Sequence, residues 1–143
     1  MKIAAWMKGP VISVKPHDSV LHAREVLERH RINQLPVTVD GHLVGIVTDR
    51  DLRDAFPSVF ETGRPRRNGA HHTNPGAVPV EDVMSRTVVT LAPQALVADA
   101  ARTMRRERIG AVPVVEEGRL VGILTRSDVL DALVEVTGAS AGG

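Results

Sequence analysis

The 143-residue chain has no cysteine, no tyrosine and only three aromatic residues, Trp6, Phe56 and Phe60. Without thiols there are no disulfides, no thiolate nucleophiles and no cysteine-ligated metals. That fits a reducing cytoplasm, which is the expected location. Without aromatics there is no stacking platform of the kind that usually holds single-stranded nucleic acid. An adenine ring bound here would therefore have to lie between aliphatic side chains. An excess of one charge sign is also missing. The 18 Lys and Arg against 17 Asp and Glu leave a formal net charge of +1. Nothing in that balance attracts nucleic acid or an anionic membrane. No apolar run approaches the roughly 18 residues that span a bilayer. The opening residues, Met1-Lys2-Ile3-Ala4-Ala5-Trp6, lack the long apolar segment of a signal peptide. Catalytic motifs in their working context are absent as well: His-Glu-x-x-His, the P-loop and Gly-x-Gly-x-x-Gly do not occur, and the one Gly-x-Ser-x-Gly string, Gly138–Gly142, lies in the small-residue tail with no strand before it to form a nucleophile elbow. A non-enzymatic protein is expected.

What the chain does have is an internal repeat. Residues 84–133 moved back by 77 positions onto residues 7–56 match at 19 of 50 positions without a gap. The densest match sets Gly41-His42-Leu43-Val44-Gly45-Ile46-Val47-Thr48-Asp49-Arg50-Asp51 against Gly118-Arg119-Leu120-Val121-Gly122-Ile123-Leu124-Thr125-Arg126-Ser127-Asp128. A repeat of roughly 50 residues is marginal for burying a core by itself. Two copies suggest a pseudo-two-fold body with related grooves. The boundaries read as repeat one at 1–62, a linker loop at 63–79, repeat two at 80–138 and a small-residue tail at 139–143.

Each repeat reads as strand, helix, strand, hairpin, strand, helix, an α/β (α+β) pattern of two β-α-β-β-α units. Val11–Val14 is short and apolar, and is expected to be a strand. Asp18 or Ser19 would cap a helix in which Val20, Ala23, Val26 and Leu27 recur at helical spacing. Leu35–Val39 and Leu43–Val47 would pair through an Asp40-Gly41 hairpin. The second of these is apolar enough to be buried on both faces. A helix from Asp49 to Phe56 follows. Repeat two copies this with a strand at Val88–Leu91, a helix from Ala95 to Arg106, strands Val112–Val115 and Leu120–Leu124 turning near Glu117-Gly118, and a helix from Arg126 to Val136. Gly138 is a plausible helix stop. Pro57–Pro79, rich in Pro, Gly, Asn, Arg and His, reads as a loop, and Val80–Met84 as one helical turn.

Gly-Φ-Φ-Thr-x-x-Asp, with Φ aliphatic, recurs at Gly45–Thr48–Asp51 and Gly122–Thr125–Asp128. It falls where an apolar strand ends and a helix begins. Such strand ends border crevices in α/β folds, and free N–H groups at a helix start favour phosphate. A carboxylate there can accept both hydroxyls of a ribose. The same spacing is also a capping box, which needs no ligand. The residues alone leave both readings open.

Both repeats resemble the CBS domain, and the pair looks like a Bateman module. The resemblance rests on Met-x-x-x-Val before the first strand, on Leu35-Pro36-Val37 and Val112-Pro113-Val114, and on Gly-x-Leu-Val-Gly-Ile-Φ-Thr-x-x-Asp. The order of parts is similar to the acetoin-utilisation regulatory CBS proteins, through Asp49-Arg50-Asp51-Leu52 running into Phe56–Glu61 and through the ending Leu133–Ala139. Members of that family often carry a C-terminal ACT-type domain, and this chain stops short of it. The resemblance implies regulatory binding of AMP, ADP, ATP or S-adenosylmethionine in a cleft between the repeats, with no catalytic cofactor, and signalling to an unknown protein partner. Thr48 and Asp51, and Thr125 and Asp128, would hold ribose and phosphate. Ser13 and Thr90, then Asn33-Gln34-Leu35 and Gly110-Ala111-Val112, would frame the adenine. Arg126 after Thr125 would pair with a phosphate, whereas Asp49 after Thr48 would repel one unless Arg50 compensates. Tighter binding is therefore expected at the Thr125/Asp128 site.

CBS modules commonly pair into flat dimers, so a homodimer is expected, with no membrane and no nucleic-acid partner. The alternative is a constitutive interaction scaffold in which Thr-x-x-Asp only caps helices. Adjacent His71-His72 is a poor metal site, and Arg64-Pro65-Arg66-Arg67 reads as a solvated basic loop. Trp6 would anchor an interface or cover the core, and Met84 and Met104 would sit in the core.

Overall fold

The computed structural model describes residues 1–56 and 74–141. His71-His72, the Arg64–Arg67 run, Phe60 and most of the expected loop lie outside the described residues. The chain divides into two compact units, Ile12–Val88 and Met1–Val11 with Val89–Gly143. Among the described residues the regular elements are mixed α/β, with four helices and four strands.

In the first unit, α1 spans Val20–His30, β1 Gln34–Val39, β2 His42–Thr48 and α2 Asp49–Ala55. Ser19, not Asp18, caps α1: its hydroxyl accepts from the His22 N–H at 3.0 Å. Asp18 instead accepts from the Lys15 N–H. The helix buries Val20, Ala23, Val26 and Leu27, as their spacing predicts. β1 and β2 pair antiparallel, with Leu35 opposite Val47 and Val37 opposite Gly45. Asp40 and Gly41 both have positive φ, 49° and 83°, as a type I′ turn requires. β2 buries Gly45 and Val47 and leaves Leu43, Val44 and Ile46 half-buried. Full burial of both faces is thus not observed.

The second unit repeats the plan. α3 spans Val97–Glu107, β3 Ala111–Glu116, β4 Arg119–Thr125 and α4 Arg126–Ala141. Val112 lies opposite Leu124 and Val114 opposite Gly122. Glu117 and Gly118 make the same turn, with φ of 53° and 81°. No helix among the described residues is long and apolar enough to cross a membrane.

Two expectations are corrected. The expected first strands are single bridges, Val14 to Val37 and Leu91 to Val114. The reason is the proline next door. The Val14 N–H donates to the Pro36 carbonyl, and the Thr38 N–H donates to the Val14 carbonyl. Extending this parallel ladder by one step would need an N–H from Pro36, which has none. Pro113 limits Leu91 in the same way. The second correction concerns α4, which runs through Gly138 to Ala141. A glycine ends a helix by adopting positive φ, and Gly138 is not among the residues that do.

The segment ahead of each repeat packs against the other repeat. Around α1, Val78 accepts from the Val20 N–H, and the Val80 N–H donates to Asp18, at 2.8 and 2.7 Å. Around α3, Met1 accepts from the Val97 N–H, and the Ile3 N–H donates to Ala95, at 2.9 and 2.8 Å. Each of these pairs differs from its counterpart by the 77-residue repeat offset. The last residues of the expected loop are therefore anchored, with a 3₁₀ turn at Pro75–Ala77 and another at Val80–Asp82. Further along, Ser85 exchanges two backbone bonds with Ile46, and Lys8 exchanges two with Ile123. Met84 packs half-buried against the first core, and Trp6 and Met7 against the second. Trp6 is thus a core cover, and Met104 is buried in the second core. Packing cuts the chain at 11/12 and 88/89, whereas the repeat boundaries in sequence fall elsewhere.

These docked segments explain the motif glycines. A Cβ on Gly45 would stand 2.6 Å from the Met84 sulfur and 2.9 Å from the Ser85 carbonyl oxygen. On Gly122 it would stand 2.6 Å from the Met7 sulfur and 3.3 Å from the Lys8 carbonyl oxygen. The glycine in Gly-Φ-Φ-Thr-x-x-Asp is there for close packing of a neighbouring segment.

Candidate functional site

In each repeat the buried strand of the hairpin delivers its Thr to the first turn of a helix. The next residue ties that turn to the start of the partner strand. The Asp49 N–H donates to the Asn33 carbonyl, and the Arg126 N–H to the Gly110 carbonyl, both at 2.8 Å. Thr and Asp are thereby brought beside the 33–35 or 110–112 segment expected to frame an adenine. Leu35 and Val112 are fully buried. Gln34 is half-buried, and its Nε2 is a buried donor with no hydrogen-bond partner among the described residues. Ser13 is exposed, with its hydroxyl 3.3 Å from that of Thr38, and Thr90 is exposed.

The loop of repeat one is a complete capping box. The Thr48 N–H donates to Asp51 Oδ2 at 2.9 Å, and the Asp51 N–H donates to Thr48 Oγ1 at 3.0 Å. Asp51 is half-buried. Asp49 is compensated by Arg53 one turn on, at 2.7 Å, and not by Arg50, which is exposed on the first turn. The sequence reading missed Arg53, although its i,i+4 spacing was visible.

The loop of repeat two has the same frame with more bonds. Asp128 Oδ2 accepts from the Thr125 N–H at 2.8 Å and from the Thr125 hydroxyl at 2.9 Å, and the Asp128 N–H donates to Thr125 Oγ1 at 3.3 Å. Asp128 Oδ1 is held by the ammonium of Lys8. Asp128 is only 1% exposed, although the Lys8 side chain remains largely in solvent. The hydrogen bond to Asp128, the largest cause, raises the pKa of Lys8, and the charges of Asp128 and Asp131 add to it. Lys8 was absent from the expected site because it lies 120 residues from Asp128 in sequence. Arg126 is exposed; a Cβ on Gly110 would stand 3.5 Å from its Nη2. Its side chain also lines a cavity of about 240 Å³ shared with Met104, Arg105, Ile109 and Val129. Among the described residues no cluster of His, Asp and Glu fits a metal ion.

Two copies of one hairpin, each ending in a capped Thr-x-x-Asp turn, define a tandem repeat protein of a recognisable class. The chain belongs to the CBS domain family, which it matches over residues 3–58 and 80–135. It is similar to the crystal structure of an acetoin utilization protein (AcuB) from Vibrio cholerae, with a TM-score of 0.80 and 25% identity over 100% of this chain and 97% of that one. It is also similar to CBSX2 in complex with AMP, with a TM-score of 0.78 and 28% identity over 95% and 98% of the two chains. A third similar structure is the CBS domain pair of protein MJ0100 in complex with 5′-methylthioadenosine and S-adenosyl-L-methionine. There the TM-score is 0.71 and the identity 27%, over 93% and 95%.

Proposed function

We propose that this chain is a non-enzymatic regulatory module that binds an adenosyl ligand and reports its presence to a protein partner in the cytoplasm. The ligand class is AMP, ADP, ATP or S-adenosylmethionine. Thr48, Asp51 and Arg50 would hold ribose and phosphate in repeat one, with Ser13, Asn33, Gln34 and Leu35 framing the base. Thr125, Asp128 and Arg126, with Thr90, Gly110, Ala111 and Val112, are their counterparts. The observation that carries this reading is the pairing of each Thr-Asp turn with a strand start through one backbone bond. It is supported by two similar structures, one complexed with AMP and the other with 5′-methylthioadenosine and S-adenosyl-L-methionine. The unpartnered Gln34 amide adds to it, because a buried donor without an acceptor is costly. A ligand changes the output only as far as it binds one state of the module better than another.

The module would act as a homodimer. Leu130, Leu133 and Val134 form one stripe on α4 and are 53%, 55% and 66% exposed. Apolar side chains at i, i+3 and i+4 left in solvent suit burial against a second copy. Leu133→Glu is expected to turn a dimer into a monomer in sedimentation; an unchanged mass would remove α4 from the interface.

One observation favours the constitutive scaffold as a second reading. Both turns are capped by their own Thr and Asp. Thermal unfolding of nucleotide-stripped protein against each ligand separates the two. A binder at a hundred-fold excess over Kd adds about 2.7 kcal/mol. A flat response to all of them, confirmed by calorimetry, would leave the scaffold.

A further inference from the structure

We propose that Lys8 closes the repeat-two turn to the ribose of an adenosyl ligand, so that the chain takes one such ligand, at Thr48 and Asp51. The inference rests on the adenosyl reading above and sharpens it.

A ribose diol needs a carboxylate oxygen that can still accept hydrogen bonds. Asp51 has one. Its Oδ2 accepts from the Thr48 N–H, while Oδ1 has no partner among the described residues. The Thr48 hydroxyl accepts from the Asp51 N–H, and its proton has no acceptor among the described residues. Repeat one thus has one acceptor and one donor left for a ligand. In repeat two the hydroxyl proton is used and the carboxylate is covered. The Thr125 hydroxyl donates to Asp128 Oδ2, and Oδ1 carries the Lys8 ammonium. Because Asp128 is only 1% exposed, a ribose hydroxyl could reach its carboxylate only by displacing the Lys8 ammonium, and it would then replace a charge-assisted bond with a weaker neutral donor.

The contact is built in. Lys8 is pinned to Ile123 by two backbone bonds of 2.9 and 3.0 Å, on the strand that leads to Asp128. The equivalent position in repeat one is Ser85, pinned to Ile46 in the same way. Its short side chain donates to the Thr87 carbonyl at 3.2 Å and leaves Asp51 alone. One side chain at one repeat position therefore separates the two turns. A lysine is charged at neutral pH, and the hydrogen bond to Asp128 moves the Lys8 pKa further up. The ranking that follows is the reverse of the one expected from Arg126 and Asp49 in the sequence.

Calorimetric titration of the full chain with AMP tests this in the wild type, Lys8→Ser and Ser85→Lys. The expected stoichiometries are one, two and none, or at least about tenfold weaker binding in Ser85→Lys. Two sites in the wild type would overturn the latch, as would Lys8→Ser remaining at one site. If Lys8→Ser fails to fold, Ser85→Lys decides, and unchanged AMP affinity there overturns the proposal. One site in all three proteins, lost in Asp51→Asn, would remove the latch and keep AMP binding. No binding in any of them would remove the adenosyl reading and the latch together.

Discussion

Asp51 and Asp128 occupy the same repeat position, cap the same turn, and follow strands with nearly the same residues. Yet Asp51 is half-buried with one oxygen unpartnered among the described residues, while Asp128 is 1% exposed with both oxygens bonded. The difference does not come from the motif. It comes from the segment docked beside it, which brings Ser85 to one strand and Lys8 to the other. In a repeat protein, the chemistry of a conserved-looking turn can be set by a side chain that the repeat itself does not contain.

The comparison can be broken at several depths, the largest in the two cores. Leu35 and Leu124 are fully buried, one in each unit. Leu35→Ala and Leu124→Ala should each cost about 2–5 kcal/mol in denaturant unfolding. Similar losses would show the two cores to be equally tight, and a much smaller loss in one would show that its site can collapse. Next come the motif glycines. Gly45→Ala meets a carbonyl oxygen at 2.9 Å, whereas Gly122→Ala meets chiefly the flexible Met7 side chain. Gly45→Ala should cost about 1–3 kcal/mol and Gly122→Ala less. The reverse order in chemical denaturation would contradict the docking of Met84-Ser85.

A smaller contrast lies at the helix starts. Ser19 caps α1, but its repeat counterpart is Leu96, which is 48% exposed and has no side-chain acceptor. Ser19→Ala should lose about 1 kcal/mol, and Leu96→Ser should gain up to that much. Melting curves of the two variants decide this, and a loss in Leu96→Ser would show that the leucine packs usefully where it stands. The smallest effect is in pH. A lysine whose folded pKa lies above 10.5 stabilises the fold fully below that value, and the contribution fades as pH rises through the folded pKa. The melting difference between wild type and Lys8→Met should hold constant up to about pH 10 and shrink beyond it. A difference that shrinks between pH 6 and 8 would mean that another group holds Asp128.

Much of this was legible in the sequence. The 3.6-residue spacing of Val20, Ala23 and Leu27 marked α1, and Asp40-Gly41 marked the hairpin, because these signals are local. The first strands were misread because an apolar run says nothing about its neighbour's missing donors, and Pro36 and Pro113 stop the ladder from the other side. Gly138 was misread because glycine ends a helix only where the backbone turns to positive φ. At the site, the Thr-x-x-Asp geometry was visible as a pattern. The Lys8 contact was not, because 120 intervening residues separate its partners and only packing joins them.

The most direct test of the central claim is a crystal structure of the chain grown with saturating AMP. The account predicts ribose hydroxyls on the Asp51 carboxylate and the Lys8 ammonium still on Asp128. Ribose on Asp128, with Lys8 swung into solvent, would contradict it.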